Sequence, residues 1–256
     1  MTTTVDLKKR LMLILKELHL PAIREQFEEV AIQAEQESLS YERYLLELIE
    51  NERDARRQRR IERFLKESGL PFEKTLSAFN LKRLPQKAKR QVTYLLDGDF
   101  IDKKENVLLF GIPGTGKTHL LCGISQELIR KGRRILFSTC GMLVQKLLVA
   151  KRDLNLAQLI KKLGKYEAIV IDDIGYVQQS REEMEVLFTF LAERYERGSV
   201  MITSNLPFSK WEKIFKDPMT TAAAIDRVVH HSVIIELNID SYRMESAQKK
   251  QTEETE

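Results

Sequence analysis

Residues 106–118 read NVLLFGIPGTGKT, a mainly apolar run that leads directly into a glycine-rich sequence. The last eight of these residues fit the pattern G-x-x-x-x-G-K-T, the Walker A motif. Glycines at these places let the backbone wrap around an anion, with N–H groups pointing inward at the start of a helix. The pattern therefore predicts a strand, a phosphate-binding loop and a helix in succession. In such a loop Lys117 reaches the β- and γ-phosphates and Thr118 supplies a hydroxyl to Mg²⁺.

Short apolar runs alternate with helical stretches on both sides of this motif. The predicted strands are residues 106–110, 134–138, 168–171, 200–203 and 233–237. The predicted helices between them are residues 117–131, 141–162, 181–197 and 209–229. Strands that alternate with helices indicate an α/β fold, in which a parallel sheet is covered by helices on both faces.

A second motif follows the third predicted strand. Residues 168–173, AIVIDD, form an apolar run that ends in two carboxylates, as in a Walker B element. Successive strand residues point to opposite faces, but at the end of a strand the chain can turn both side chains toward one ligand. We expect Asp172 to hold the Mg²⁺ ion and Asp173 to orient or deprotonate the attacking water.

Positive charge is concentrated in one block of the chain, although the formal net charge is only +4. Residues 1–52 contain six Lys and Arg against eleven Asp and Glu, whereas residues 53–90 contain thirteen against four. A basic block of this kind suits a polyanion such as DNA, and the alternative is a solvated helix face. The candidate DNA-binding residues are Arg56, Arg57, Arg59 and Arg60 in the block, with Lys146, Lys151, Arg152, Lys161 and Lys162 in a second cluster.

The first part of the chain reads as helices, because residues 1–68 contain no glycine and one proline. Apolar residues recur there at helical spacing, for example Leu7, Leu11, Leu15 and Leu18. These stripes predict the core faces of a small all-α domain, with docking on another chain as the alternative. The expected organisation is a helical domain at 1–68, a basic connector at 69–104, an ATPase core at 105–245 and a flexible tail at 246–256.

Composition excludes several classes of protein. Hydrophobic residues make up 43% and charged residues 31% of the 256, which is typical of a globular protein. The longest apolar runs fall far short of the roughly 20 residues that span a bilayer, so no membrane association is expected. The start of the chain does not resemble a signal peptide, because Asp6 and the charged residues 8–10 interrupt its apolar residues. Two cysteines, Cys122 and Cys140, exclude a disulfide framework and a zinc site, and they favour a cytoplasmic location.

Four segments together carry a resemblance to a known family. They are ENVLLFGIPGTGKTHL, IDDIGYV, FLAERYERGSVMITSNLPFSKW and IDRVVHHSVIIELNIDSYR, and they cover most of residues 105–245. The chain resembles the IstB/DnaC-like branch of AAA+ ATPases, and within it the IstB helpers of insertion-sequence transposition. The resemblance implies a homo-oligomer with ATP sites at subunit interfaces. Such an oligomer binds and remodels duplex DNA and works with a transposase. The basic block at residues 53–90 predicts, separately, that DNA binding depends little on base sequence.

The resemblance also implies roles for individual residues. The residues expected to hold ATP are Gly111, Ile112, Pro113, Gly114, Thr115, Gly116, Lys117, Thr118 and His119. Thr118 and Asp172 are expected to hold Mg²⁺. Asp173, Asn205 and Arg227 are expected to take part in catalysis. Asn205 corresponds to the residue called sensor 1, which touches the γ-phosphate or the attacking water, and Ser204 is the second choice for that role. The alternative is that Asn205 is an ordinary asparagine that starts a turn after the strand. Arg227 corresponds to an arginine finger that acts on a neighbouring subunit, and an internal pair with Asp226 is the alternative.

Two departures from the family pattern accompany these roles. Many AAA+ proteins carry glutamate at the second Walker B position, where this chain has Asp173, so we expect slow hydrolysis. About 19 residues follow Leu237, too few for a C-terminal helical lid, and Arg243 is the only substitute for its sensor arginine.

Other functions stay open at this level. A replicative helicase loader of the DnaC type uses the same ATPase core and differs in its partner. A small-molecule P-loop kinase needs a substrate lid and convergent arginines, which the sequence does not offer. A scaffold that binds nucleotide with little turnover is the remaining alternative.

Overall fold

The computed structural model describes residues 4–175, 180–211 and 218–242. The chain separates into two compact units, Met1–Arg63 and Phe64–Glu256. Helix α1 spans Thr4–Glu17, α2 spans Pro21–Gln36 and α3 spans Tyr41–Ser68. The prediction that the first part of the chain is helical is confirmed.

A buried carboxylate organises the first unit. Glu52 on α3 has a side chain that is only 5% exposed, and its Oε2 accepts a 2.8 Å hydrogen bond from the N–H of Ala22 in the first turn of α2. Its Oε1 accepts from Arg56 at 2.9 Å and from Arg59 at 3.2 Å. Burial raises the pKa of the Glu52 carboxyl, but these donors outweigh it and hold the pKa below its ordinary value. Glu52 thus satisfies the free N–H groups at the start of α2 from a different helix.

The apolar stripe on α1 is not the core face that the sequence predicts. Leu15 is buried, whereas Leu7 and Leu18 are 62% and 59% exposed, and Leu11 and Ile14 are exposed as well. Three helices of this length enclose a thin core. That core has room for one α1 leucine and excludes the rest of the stripe.

Residues 69–104, expected to form a connector, fold within the second unit. They contain α4, Gln86–Asp97, and α5, Asp99–Asp102, preceded by a 3₁₀ turn at Leu81–Arg83. Helix α4 buries Ala88, Val92 and Leu95, and it lies against the edge strand of the sheet described next.

The second unit is built on a five-stranded parallel sheet, as the sequence predicts. Its strands are β1 Asn106–Gly111, β2 Ile135–Thr139, β3 Ala168–Asp172, β4 Ser199–Ser204 and β5 Ser232–Leu237. They lie in the order β2-β3-β4-β1-β5, and every neighbouring pair is parallel. All five strands therefore end at one edge of the sheet.

Helices cover this sheet and largely match the prediction. They are α6 Lys117–Arg130, α7 Cys140–Arg152, α8 Leu156–Leu163, α9 Arg181–Arg194 and α10 Pro218–Val229, with a 3₁₀ turn at Phe208–Lys210. The single helix predicted at 141–162 is wrong, because a turn at residues 153–155 divides it into α7 and α8. The helix predicted at 209–229 is wrong over 209–211, where the chain leaves a 3₁₀ turn, and residues 212–217 lie outside the described residues.

Neither cysteine is placed for reactivity. Cys122 and Cys140 are both buried thiols outside any disulfide, and burial raises the pKa of the Cys122 thiol to about 12. Within the described residues, no helix has the length and apolar character needed to cross a membrane.

Candidate nucleotide-binding site

The phosphate-binding loop connects the end of β1 to the start of α6. Gly116 has a φ of +85°, and a Cβ at this position would lie 2.7 Å from the ring of Phe79. Both the conformation and the space therefore require glycine. The ammonium group of Lys117 donates hydrogen bonds to the carbonyl oxygens of Gly111 at 2.7 Å and Ile112 at 3.0 Å. The lysine thus closes the loop and keeps its charge at the mouth of the loop.

Two hydroxyl groups converge on the carboxylate of Asp172. Thr118, in the first turn of α6, donates to Asp172 Oδ1 at 2.7 Å, and Thr203 on β4 donates to the same oxygen at 2.6 Å. Asp172 is buried at the end of β3. Hydroxyl and carboxylate oxygens are the hard donors that Mg²⁺ prefers. The donor chemistry of Thr118 and Asp172 therefore fits the magnesium ion that the sequence predicts there.

No cluster of three or more His, Cys, Asp or Glu ligands occurs in the described part of the chain. Mg²⁺ in nucleotide sites is commonly held by one or two protein groups together with phosphate oxygens and waters.

Thr203 is the residue of this group that sequence reasoning missed. Its hydroxyl also accepts a 2.8 Å hydrogen bond from the backbone N–H of Asp173. Asp173 has a φ of +63°, a left-handed conformation that is uncommon for a residue other than glycine. Thr203 lies one position beyond the paired residues Ile171 and Ile202, so its contact with both aspartates depends on β4 being the neighbour of β3.

Asn205 follows β4 and lines the same cavity as Asp172 and Asp173. Its side-chain Oδ1 is buried and has no hydrogen-bond partner among the described residues. Ser204, the reserve choice, is engaged in a local turn, because its hydroxyl donates to the carbonyl of Leu206 and accepts from the N–H of Leu206. The geometry therefore favours Asn205 as the side chain available to a ligand.

These groups surround a cavity of about 480 Å³. The sequence-predicted residues on its wall are Pro113, Gly114, Gly116, Lys117, Thr118, His119, Asp172, Asp173 and Asn205. Gly111, Ile112 and Thr115 belong to the same loop, and Thr115 is buried with its hydroxyl bonded to the Ile112 carbonyl at 2.9 Å. The structure therefore brings the two Walker elements and Asn205 together.

An aromatic wall on this cavity was not predicted from the sequence. The ring of Phe79 lies 5.5 Å from that of His119 and 6.2 Å from that of Tyr242, measured between centroids. The N–H of Tyr242 donates to the Gly114 carbonyl at 3.0 Å, and the Tyr242 hydroxyl is buried without a hydrogen bond in the described structure. Aromatic faces beside a phosphate loop suit a nucleobase. Arg243, the predicted substitute for a sensor arginine, lies outside the described residues.

Arg227 lies at the end of the sheet where the strands begin, opposite the end that carries the phosphate loop. Its backbone carbonyl accepts from the side chain of Asn106, the first residue of β1, whereas the phosphate loop begins at Gly111, the last. Five strand residues separate these ends by about 16 Å. The guanidinium of Arg227 donates to the carbonyl of Ala223 at 3.2 Å and stands 5.0 Å from the ring of Phe188. Arg227 is not among the residues that line the cavity of its own chain.

The candidate DNA-binding residues fall into two kinds. Arg56 and Arg59 are held by the buried Glu52, and Lys151 forms an ion pair with Glu185 at 3.1 Å. The candidates with exposed side chains and no ion pair among the described residues are Arg57, Arg60, Lys146, Arg152, Lys161 and Lys162.

Comparisons with known proteins find a matching family model and related proteins of similar length. Residues 13–251 match the family model described as IstB-like ATP binding protein. The chain is 44% identical over 245 residues to an insertion sequence ATP-binding protein of Sinorhizobium fredii, covering 95% of this chain and 82% of the relative. It is 35% identical over 238 residues to the IS5376 ATP-binding protein of Geobacillus stearothermophilus, covering 93% and 95%.

The fold is similar to that of the DnaC helicase loader, with a TM-score of 0.57 at 18% identity over 66% of this chain and 98% of that one. This likeness supports the predicted AAA+ fold.

Proposed function

The chain belongs to the IstB-like ATP binding protein family, and from this premise we propose that it remodels target DNA for a transposase. The chain is an ATPase, and its relatives are named as ATP-binding proteins of insertion sequences, which links its activity to transposition. The ATPase would assemble on duplex DNA, distort it and present it to the transposase.

The observation that carries the ATPase chemistry is the contact of Thr118 and Thr203 with one oxygen of Asp172. It joins the phosphate loop, β3 and β4 at the point where the γ-phosphate of a nucleotide in the loop would lie. Thr118 and Asp172 would hold Mg²⁺, which when bound neutralises charge on the β- and γ-phosphates. Lys117 adds a fixed positive charge from the start of α6.

Asp173 and Asn205 would act on the attacking water. Both line the cavity, and the backbone of Asp173 is fixed by Thr203 at 2.8 Å. Asp173 would orient the water and accept its proton, while Asn205, whose buried Oδ1 has no partner among the described residues, would bind the water or the γ-phosphate. Because aspartate is one methylene shorter than the usual glutamate, it holds the water less closely, and turnover is slow.

The site would be completed by a second copy of the chain. The backbone of Arg227 contacts Asn106 at the start of β1, and the phosphate loop begins at the other end of that strand, about 16 Å away. A neighbouring copy would bring its own Arg227 against the γ-phosphate, where a guanidinium stabilises the charge that develops in the transition state. Assembly and ATP hydrolysis would then be coupled.

Duplex DNA would be held mainly through its phosphates. Six candidate cations on α3, α7 and α8 are exposed and form no ion pair in the described part of the chain: Arg57, Arg60, Lys146, Arg152, Lys161 and Lys162. Contacts of this kind are largely independent of base sequence and weaken steeply with salt. The basic surface therefore suits a protein that binds target DNA of any sequence.

The proposal is tested by ATP turnover of the full chain, measured with and without duplex DNA and an insertion-sequence transposase. We expect both to raise turnover in the wild type, and Lys117→Ala to bind no ATP. Lys131→Ala is the matched control, because it removes an exposed lysine from the other end of α6. Stimulation by a replicative helicase and not by the transposase would instead identify a helicase loader.

A further inference from the structure

The turn between α7 and α8 presents a leucine to solvent. Leu154 is 93% exposed, and its φ of +57° is a left-handed conformation that leucine disfavours. The turn is closed by backbone hydrogen bonds from Leu154 N–H to Lys151 O at 3.2 Å and from Asn155 N–H to Ala150 O at 2.7 Å. The leucine side chain is therefore held outward on a defined backbone.

Folding alone does not account for leucine at this position. Glycine or asparagine adopts the left-handed conformation at the end of a helix more readily. Either residue would also avoid the exposure of an apolar side chain to water. Two unfavourable properties thus coincide at Leu154, which points to a role in contact with something else.

The charge around the turn identifies the class of partner. Residues 140–165 contain six Lys and Arg and a single acidic residue, Asp153. Lys151 is paired with Glu185, while Lys146 and Lys162 line the shallow groove beside the turn. The basic residues are Lys146, Lys151, Arg152, Lys161, Lys162 and Lys165. An apolar projection flanked by cations is complementary to a nucleic acid, in which stacked bases lie between two phosphate backbones.

We propose that Leu154 is a wedge that enters a base step of the bound duplex while the cations of α7 and α8 hold the flanking phosphates. The proposal rests on the DNA binding proposed above. Proteins that bend DNA insert Leu, Ile, Met or Phe between base pairs and kink the duplex. Binding to single strands uses aromatic platforms instead, so an aliphatic wedge fits a duplex. Through Leu154, a surface that does not read sequence would still distort the DNA.

The test compares Leu154→Asn with the wild type on a duplex of about 30 base pairs that carries a fluorophore at each end. Asparagine tolerates the left-handed backbone, so the variant is expected to fold and to hydrolyse ATP without DNA at the wild-type rate. We expect the change in energy transfer that reports bending to fall by more than half. Affinity for the duplex should fall severalfold, with the salt dependence unchanged. Leu154→Met, which keeps an apolar side chain, should retain bending.

Each other outcome overturns the wedge. Wild-type bending by Leu154→Asn would show that the leucine does not distort DNA. If Leu154→Asn bends DNA normally but no longer binds the transposase, Leu154 contacts a protein and not DNA. A wild-type protein that binds the duplex without bending it would remove the wedge and leave the proposed DNA binding intact. If the wild type binds no duplex, both proposals fail.

Discussion

Thr203 donates a 2.6 Å hydrogen bond to Oδ1 of Asp172 and accepts a 2.8 Å hydrogen bond from the backbone N–H of Asp173. One hydroxyl on β4 therefore contacts both aspartates at the end of β3, through the carboxylate of Asp172 and the backbone of Asp173. This makes Thr203 a positioning residue for the site, since it acts through the aspartates.

Replacing Thr203 by valine keeps the shape of the side chain and removes both hydrogen bonds. A hydrogen bond to a charged group contributes about 1.5–3 kcal/mol, so we expect kcat to fall about 10- to 100-fold. ATP affinity should change little, because the phosphate loop is intact. Thr203→Ser keeps the hydroxyl and should restore turnover. A lower ATP affinity with unchanged kcat would contradict the assigned role.

Asp173→Asn tests the carboxylate that would accept the proton of water. The variant should bind ATP normally, because Thr118 and Asp172 remain, and it should hydrolyse ATP at least ~100-fold more slowly. Nucleotide binding is measured with a fluorescent ATP analogue and turnover by phosphate release. Asp97→Asn, a change at an exposed aspartate on α4, serves as the control. Wild-type turnover in Asp173→Asn would assign the base to another group.

Arg227→Ala tests completion of the site by a neighbouring subunit. The variant should bind ATP and turn it over poorly, since the developing charge lacks its guanidinium. Mixing it with Asp173→Asn should restore part of the activity, because some interfaces then pair an intact Arg227 with an intact Asp173. Mixtures that co-assemble and stay inactive at every ratio would contradict an action between subunits.

Glu52 should make the stability of the first unit depend on pH in the acid range. Its pKa in the folded protein is below the ordinary 4.5. Ionised Glu52 therefore stabilises the first unit fully above pH 4.5, and this stabilisation is lost as the pH falls through the lower pKa of Glu52 in the folded protein. Glu52→Gln should remove this pH dependence and lower the free energy of unfolding of the first unit by about 1–3 kcal/mol. The loss is no larger because Arg56 and Arg59 are exposed and water can replace the hydrogen bonds that they lose. Hydrogen exchange of α1–α3 in the full chain at several pH values measures the effect.

Charge reversal on α3 should separate residues that bind DNA from residues that hold the fold. Arg57→Glu with Arg60→Glu should weaken binding equally for two unrelated duplexes. It should also reduce the slope of log affinity against log salt by about 0.9 for each DNA phosphate that the variant no longer neutralises. Fold stability should be unchanged, because both arginines are exposed and have no ion pair among the described residues. The same reversal at Arg56 and Arg59 should destabilise the unit, since both hold Glu52.

Fluorescence anisotropy at several salt concentrations measures the DNA effect. Normal binding by the Arg57 and Arg60 variant would move the DNA-binding surface from α3 to the cations of α7 and α8.

The sequence alone determined the features that depend on neighbours along the chain. The residues of the phosphate loop are contiguous, and their glycines, lysine and threonine specify the loop wherever it lies in the fold. Each strand of the sheet is a short apolar run, and the three central strands β3, β4 and β1 are buried over most of their length, as that composition predicts. The five strands, the loop and the two aspartates at the end of β3 were therefore predictable.

Tertiary structure decided the features that join distant residues. Thr203 reaches Asp172 because β4 lies beside β3, and Phe79 meets Tyr242 because the chain returns to the phosphate loop after β5. The burial of Glu52 and the exposure of Leu7 follow from which helix faces meet in the first unit. Periodicity marks an apolar or charged face, but it does not state what packs against that face, and this is set by the balance of burial over the whole unit.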